Sequence, residues 1–330
     1  MRTNSSKACR APTGSREAGM TLIELMVALA IGLFLLLGAM TVYLQSRQTF
    51  QVNETIARLQ ENGRFALDAI EPDIRMGHFW GLTTRTDKIQ GRAAPTETNA
   101  LAFADDCGDN WSFDLDAGIE ASNGSYGWDC DAYGDGAQGS SDTLVVRRAA
   151  EEATATPVAD TLYIQSARFQ DSQIFEGAAI PSGYSSTTSE THELVVDGYY
   201  VSQSSTLGDD VPSLRVKRLG VGPAITDEEV LPGVEDMQVQ LGVDTDAFGS
   251  PNRGSIDLYV NPGDAILANP DVQVLAVRIW LRIRAERPEP GFTDDRSYTY
   301  ADQDIDPPMD GYRRIVVSKT IYIRNARPPA

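Results

Sequence analysis

The chain has 330 residues, of which 42% are apolar and 23% are charged, and its formal net charge is −19. This composition excludes a chain that is disordered throughout, and it suits one or two globular units with a substantial core. The first 19 residues hold four basic residues and one acidic residue, so the other 24 basic and 46 acidic residues give the remainder a charge of −22. Such a surface repels phosphate backbones, so we do not expect nucleic acid as a partner.

The three cysteines divide between the basic leader and the acidic body. Cys9 lies in the leader, whereas Cys107 and Cys130 lie in the body, so loss of the leader would leave an even pair. In an oxidising compartment, a disulfide between Cys107 and Cys130 would add about 3 kcal/mol to the free energy of unfolding. Two buried free thiols are the alternative interpretation.

A membrane-spanning helix is predicted near the N-terminus. The 20 residues from Leu25 to Leu44 carry no charge, and at about 1.5 Å per residue they would cross a hydrocarbon layer of roughly 30 Å. Because basic residues precede this run, the leader is expected in the cytoplasm and the body across the membrane. The run is too long for a secretory signal peptide. A simple signal anchor would leave Glu24 unexplained, because a carboxylate costs about 2.5–3.5 kcal/mol at the bilayer centre.

The residues around Glu24 resemble a known signal. Gly19-Met20-Thr21-Leu22-Ile23-Glu24-Leu25 is similar to the class III signal of type IV prepilins. The resemblance implies that a prepilin peptidase cuts between Gly19 and Met20 and that the new amino group of Met20 is methylated. It also implies that Glu24 registers the subunit during assembly by meeting the N-terminal amine of a neighbouring subunit. Met20 departs from the more usual phenylalanine, and the leader is longer than those of most pilins.

The helix is predicted to continue beyond the membrane, because apolar residues recur at steps of four and three as Val52, Ile56, Leu59, Gly63, Ala66 and Ile70. Pro72 and Gly77 predict its end or a kink. The runs RLQENGRFAL (58–67) and DIRMG (73–77) resemble the PilW subgroup of minor pilins. LPGVEDMQVQLGVDTD (231–246) and TIYIRN (320–325) resemble the same subgroup.

The rest of the chain is predicted to form strands: Thr143–Arg148, Thr161–Ser166, Glu193–Val201, Ser213–Leu219, Val234–Val243, Val272–Glu286 and Arg313–Arg324. The sixth alternates strictly, with an apolar face and a face of arginine and tryptophan, which is either solvated or a docking site. The expected fold class is α+β and pilin-like, with a long N-terminal helix packed on an antiparallel sheet. The expected divisions are a leader (1–19), a transmembrane helix half (20–44), an amphipathic helix half (45–77) and a β-rich periplasmic or extracellular domain (78–330).

The sequence gives little support for catalysis. The two histidines, His78 and His192, have no metal or triad spacing, and no Walker loop or C-x-x-C motif occurs. We therefore expect no enzyme and no organic cofactor. Two acidic loops, one with Asp129, Asp131 and Asp135 and the other with Asp244 and Asp246, offer clustered oxygens that could hold calcium. Plain solvated turns are the alternative.

The PilW resemblance implies a function in assembly. A subunit of this kind would pass once through the inner membrane of a Gram-negative bacterium, then enter the extracellular pilus and prime it near the tip, in support of twitching motility and adhesion. Its implied partners are other minor pilins, the major pilin, a PilY-type tip protein and the prepilin peptidase. A J-like pseudopilin of type II secretion is one alternative. A tip adhesin that binds surfaces or DNA is another, with an aromatic loop carrying Trp111, Tyr126, Trp128 and Tyr133, although that loop is equally explained as an insertion held by its disulfide.

Overall fold

The structure is a computed structural model, and it describes residues 19–93, 101–247 and 249–326. The predicted leader, apart from Gly19, therefore lies outside the described residues, together with Cys9. The chain divides into two compact units, Met1–Glu54 and Thr55–Ala330. Each unit is described by itself below.

One long helix, α1, runs from Leu22 to Met76. It does not end at Pro72 but one residue before Gly77, the other predicted stop signal. A proline removes one intrahelical hydrogen bond, yet Asp73 and Ile74 after it are buried against the sheets. These tertiary contacts hold the last turn in helical form. The predicted stripe is confirmed for Leu59, Gly63, Ala66 and Ile70, which are buried.

Fourteen strands occur in the described residues. They are β1 (Ile89–Gln90), β2 (Ile119–Ser122), β3 (Thr143–Ala149), β4 (Leu162–Ala167), β5 (Ser172–Glu176), β6 (Ser189–Ser202), β7 (Ser213–Gly220), β8 (Ala224–Pro232), β9 (Val234–Asp244), β10 (Leu258–Val260), β11 (Gln273–Arg284), β12 (Tyr298–Tyr300), β13 (Gln303–Ile305) and β14 (Arg314–Tyr322). All seven predicted strands are confirmed, as β3, β4, β6, β7, β9, β11 and β14, with ends that differ by a few residues.

The larger sheet has eight strands, and β6 is its branching point. The order is β1-β5-β4-β6-β3-β2, and β7 pairs with β6 and with β8. All pairs are antiparallel except β1 with β5. Both faces are buried, because Leu144 and Val146 of β3 enter one hydrophobic cluster while Val145 and Ala149 enter another.

The smaller sheet has four antiparallel strands in the order β10-β9-β11-β14. Its apolar face carries the residues predicted for β11, and Val277, Ile279, Leu281 and Ile283 are fully buried. They share one cluster with the buried stripe of α1. The helix approaches β14 closely at Gly63, where a Cβ atom would lie 2.8 Å from Cγ1 of Val317. The strands β12 and β13 form a separate hairpin. The α+β fold class is thus confirmed.

Ion pairs fasten the last turns of α1 to the strands. Nη2 of Arg148 lies 2.7 Å from Oδ1 of Asp73, and the hydroxyl of Tyr199 donates to Oδ2 of the same carboxylate. Nζ of Lys319 on β14 lies 2.8 Å from Oδ1 of Asp68 and 2.5 Å from Oε2 of Glu71. The carboxylate of Asp73 is almost fully buried, so the sheet holds this end of the helix by charge as well as by apolar contact.

Candidate functional site

The carboxylate of Glu24 caps the start of its own helix. Its Oε2 accepts hydrogen bonds from the backbone N–H of Thr21 at 3.0 Å and from the Thr21 hydroxyl at 3.1 Å. In return, Oγ1 of Thr21 accepts from the N–H of Glu24 at 3.3 Å. Since α1 begins at Leu22, Thr21 is the N-cap and Glu24 the third helical residue, which is the arrangement of a capping box. The side chain thus has a local partner within one subunit.

The first part of α1 is exposed and apolar. Every residue from Gly19 to Gln51 is exposed, and the most apolar 18-residue window of the helix has a mean hydropathy of 2.6. Within the part of the chain that the structure describes, α1 is the one helix long and apolar enough to cross a membrane. Apolar side chains on this scale need cover, which a bilayer provides.

Gly19 and Met20 stand just outside the helix. Both are exposed, and neither belongs to a regular element. The predicted scissile bond between them therefore lies outside any regular element, next to the helix cap, where a peptidase could reach it. Cleavage there and methylation of Met20 stay predictions.

Cys107 and Cys130 form a disulfide across 23 residues of sequence, with their sulfur atoms 2.02 Å apart. The loop that they close carries an aromatic cluster. Trp128 contacts Trp111, Tyr126 and Tyr200, with ring centroids 5.6, 4.8 and 6.0 Å away. Trp111 is buried, whereas Tyr126 and Trp128 are half-buried. The fourth predicted aromatic, Tyr133, lies under the guanidinium of Arg215 at 3.7 Å from the ring centroid.

The aromatic cluster is more than a surface loop. Trp111, Phe113 and Leu115 enter the second hydrophobic cluster together with strands β3, β4 and β6. Tyr200 on β6, which no sequence motif indicated, packs its ring 5.0 Å from that of Tyr126 and donates a 2.6 Å hydrogen bond to Asp227. The disulfide loop therefore contributes to the core of the large sheet, and a half-buried edge of it faces solvent.

The two acidic loops have different geometries. Asp244 and Asp246 come together with Asp257, and one carboxylate oxygen of each lies within 4.8 Å of the others. Asp257 accepts hydrogen bonds from the N–H and the hydroxyl of Thr245 at 2.8 and 2.7 Å, and these bonds lower its pKa. Asp257 was missed in the sequence, because ten residues lie between it and Asp246.

The other loop does not gather its carboxylates. In the described residues, the group of Asp244, Asp246 and Asp257 is the one cluster of three that could share an ion. Asp129, Asp131 and Asp135 are exposed and do not meet in such a cluster. Asp135 instead exchanges hydrogen bonds with Ser204, and the carbonyl of Asp131 accepts from Lys217 at 2.6 Å. A calcium ion at either loop stays a prediction, and the geometry favours Asp244 and Asp246.

The two histidines, His192 on β6 and His78 just after α1, are surrounded by other residues of the protein. His192 is buried, and its Nδ1 lies 2.8 Å from the carbonyl of Ala150. His78 takes a positive φ of 61° at the end of α1. The ring of His192 contacts Phe79 edge to face at 5.7 Å.

The polar face of β11 is partly neutralised from within the chain. Arg282 and Arg284 reach the carboxylate of Glu235, at 3.2 and 3.9 Å. Arg278 instead donates from Nε to the hydroxyl of Thr320 at 3.1 Å and stacks 3.6 Å over the ring of Tyr259. The two expectations for this face, solvated or docking, thus concern mainly the half-buried Arg278 and Trp280.

Comparisons with known proteins match two parts of the chain. Residues 14–40 match the family described as prokaryotic N-terminal methylation motif, and residues 198–325 match the family described as Type IV Pilus-assembly protein W. Among solved structures, the type IV-like pilin TTHA1219 from Thermus thermophilus is similar with 14% identity and a TM-score of 0.36. That match covers 81% of this chain and 96% of the other. A comparison with curated proteins found no match.

The methylation motif, the apolar helix and the matched β region are similar to those of type IV pilin-like proteins. The second match also confirms the resemblance to the PilW-type minor pilins, since it extends from β6 past the end of β14 and includes both C-terminal runs that carried the resemblance. The N-terminal match includes Gly19, Met20 and Glu24, and with the apolar helix it supports membrane anchoring.

Proposed function

We propose that the protein is a minor pilin that helps to prime type IV pilus assembly and stands at or near the pilus tip, where it supports twitching motility and adhesion. One observation carries the proposal: a prepilin methylation motif at the head of α1 is joined in one chain to a PilW region. The matched families consist of structural components of pili, and this favours a role in assembly rather than in catalysis.

The charge distribution supports a membrane topology with the leader inside and the body outside. Basic residues precede the apolar run and the remainder of the chain is strongly acidic, so the leader would stay in the cytoplasm of a Gram-negative cell while the body reaches the periplasm. The prepilin peptidase would then cut after Gly19, and the subunit would leave the inner membrane as it enters the fibre.

The partners follow from the same role. The exposed apolar face of α1 would pack among the helices of other minor pilins and the major pilin, because it needs apolar cover once it has left the lipid. The body, which stays outside the fibre core, would contact a PilY-type tip protein. The capping box holds Glu24 ready at the helix start, where the new amine of a neighbour could meet it.

The test is deletion of the gene, followed by counts of surface pili and measurement of twitching. We expect few or no pili, with full recovery from the wild-type gene and none from Gly19→Val, because a side chain at the cleavage position would crowd the peptidase. The precursor of that variant should accumulate on a gel. Normal pilus numbers after deletion would overturn the proposal, and a loss of protein secretion with normal pili would indicate a J-like pseudopilin.

An adhesive function has one specific observation in its favour, the half-buried rings of Tyr126 and Trp128 beside the disulfide. Deletion of the whole loop would remove Trp111, Phe113 and Leu115 from the core, so point variants are the better test. If the cluster binds surfaces, Tyr126→Ser with Trp128→Ser should reduce attachment while pilus numbers stay normal. Unchanged attachment would leave the loop with a structural role.

A further inference from the structure

The strand β14 is an edge strand, and its register shows which of its backbone groups are free. Ala285 donates to the carbonyl of Arg313, and Ile323 donates to the carbonyl of Leu275. In the antiparallel ladder of β14 with β11 these bonds place the odd-numbered residues of β14 in the hydrogen-bonded pairs. The N–H and C=O groups of Val316, Ser318, Thr320 and Tyr322 therefore point away from the sheet. We call this row the β14 edge.

The β14 edge is closed at both ends and open between them. The carbonyl of Arg314 accepts from Arg296, and the N–H of Arg324 donates to the carbonyl of Arg75 at the end of α1. In the part of the chain that the structure describes, no hydrogen bond reaches the backbone groups of the four residues between. At about 3.3 Å per residue, this opening would accommodate roughly 20 Å of extended chain.

Edge strands are usually protected from pairing with other chains by charge, proline or cover. The other long edge strand, β8, shows such protection, because Asp227, Glu228 and Glu229 lie in its middle. The four residues of the β14 edge include no charged residue and no proline. The single lysine of the strand, Lys319, turns to Asp68 and Glu71 of α1. Ser318 and Tyr322 are exposed. The opening therefore offers pairing groups without a repelling charge.

A positively charged side chain, that of Arg278, lies beside the opening. Arg278 lies directly across from Thr320 in the ladder, and its Nε donates to the hydroxyl of that residue. The ring of Tyr259 supports the guanidinium plane from one side. Among the described residues, no carboxylate lies within ion-pair distance of Arg278, whereas Arg282 and Arg284 on the same face reach Glu235. Its terminal N–H groups are thus available for a planar anion, in a protein whose charge is strongly negative.

We infer that the β14 edge is a docking site for an extended segment of a different pilus subunit, which adds as a fifth strand and places a carboxylate on Arg278. The inference rests on the proposed function, since it presumes that the protein assembles with other subunits. Backbone pairing would give the affinity, and the charge of Arg278 would select an acidic segment.

The same charges argue against a second copy as the occupant. The acidic edge strand of this chain, β8, already uses its carboxylates: Asp227 and Glu229 bind Arg215, and Glu228 binds Arg218. Two bodies of charge −22 would also repel each other. A different subunit can offer an acidic segment whose carboxylates are not already paired.

Site-specific photo-crosslinking of the full-length protein in cells tests the inference. Benzoylphenylalanine would be placed at one of three exposed positions in separate variants. Position 322 replaces Tyr322 at the β14 edge, position 169 replaces Phe169 between β4 and β5 as a control, and position 50 replaces Phe50 on the exposed part of α1 as a reporter. Position 50 reports entry into the pilus and so tests the proposed function separately. We expect position 322, but not 169, to crosslink to one acidic segment of another subunit, as identified by mass spectrometry.

Two further variants distinguish strand docking from mere proximity. Ser318→Pro removes an outward N–H without touching the bonds to β11, and Ser318→Val keeps that N–H as its matched control. We expect Ser318→Pro and Arg278→Glu each to lower the yield at position 322 at least tenfold, while Ser318→Val retains most of it and Arg278→Lys, which keeps the charge but loses the planar donors, gives an intermediate yield. Melting temperatures and the yield at position 50 check that each variant folds and assembles.

Several results would overturn the inference. Crosslinks at position 50 with none at 322 would show a pilus subunit whose β14 edge has no partner. Crosslinks from 322 to a second copy alone would assign the wrong occupant. A yield at 322 that neither Ser318→Pro nor Arg278→Glu reduces would show proximity without strand pairing. Failure at both 50 and 322 would remove the proposed function and this inference with it.

Discussion

Arg148 on β3 and Asp73 in the last turn of α1 form an ion pair of 2.7 Å, in which the two side chains are 17% and 9% exposed. Asp73→Ala would leave a mostly buried guanidinium and the Tyr199 hydroxyl without their acceptor. We expect a loss of about 3–5 kcal/mol in the free energy of unfolding, measured by denaturant titration of the protein in detergent. Asp73→Asn keeps one acceptor oxygen and should lose less. Equal losses in both variants would contradict the importance of the charge.

A second buried carboxylate makes stability depend on pH. Burial and the neighbouring charge of Asp73 raise the pKa of Asp197 to about 7, although Arg218 donates to it at 2.7 Å. A carboxyl group whose pKa is higher in the folded state stabilises the fold below the pKa of the unfolded chain, and this stabilisation is lost as the pH rises through the folded value.

The resulting prediction concerns the range from pH 4 to pH 7. Stability should fall with rising pH by at most about 1.4 kcal/mol per unit for this group, and Asp197→Asn should make the decline shallower. Thermal melts at several pH values measure both slopes. Parallel curves for the variant and the wild type would show that Asp197 does not carry the effect.

The disulfide should stabilise the loop and the aromatic cluster that it encloses. Replacement of Cys107 and Cys130 by serine is expected to lower the free energy of unfolding by about 3 kcal/mol, because the loop gains freedom in the unfolded chain. The fluorescence of Trp111 and Trp128 should change as well, since both lie in the cluster. Cys9→Ser is the control, and we expect no such change from it after cleavage of the leader.

Calcium is tested by its effect on melting. If Asp244, Asp246 and Asp257 hold the ion, the melting temperature should rise in calcium relative to a chelator, because a ligand that binds only the folded state stabilises it. Asp257→Asn should abolish the difference. Asp209→Asn, at an exposed carboxylate outside the cluster, should leave it intact. Equal melting temperatures with and without calcium would refute the prediction.

The registration role of Glu24 predicts a separation of processing from assembly. Glu24→Ala removes the carboxylate but leaves Gly19 and Met20 unchanged, so the variant should be cleaved and inserted normally. It should enter pili poorly, since it cannot meet the amine of a neighbour. Immunoblots of membranes and of sheared pili measure the two steps. Wild-type incorporation of the variant would contradict the role.

Much of this fold could be predicted because its elements are strongly periodic. The buried stripe of α1 and the alternation of β11 each place apolar residues on one face over many residues, and no other arrangement buries them. The strand β8 escaped prediction because TDEE occupies its centre, and consecutive acidic residues are typical of a loop. The acidic residues are tolerated in a strand because Arg215, Lys217 and Arg218 on β7 neutralise their charges.

The buried charges were harder to predict from the sequence. An aspartate in an amphipathic helix is normally assigned to the solvent face, yet Asp73 lies three residues beyond Ile70 and so continues the buried stripe. That spacing was the available signal. The partners Arg148 and Tyr199 could not be named from it, because strand pairing far along the chain brings them together. Tyr200 joins its cluster for the same reason, whereas the pairing of β10 with β9 brings Asp257 to Asp244.

The strand β6 ties the two hydrophobic clusters to each other. On one edge it pairs with β3, and on the other with β4 and then β7, while Leu194 and Val196 enter one cluster and Tyr199 and Val201 the other. Neither half of the body can lose its order without exposing the flank of this shared strand. The body should therefore melt in a single all-or-none step, and a pulling force applied through α1 would meet the resistance of both clusters together.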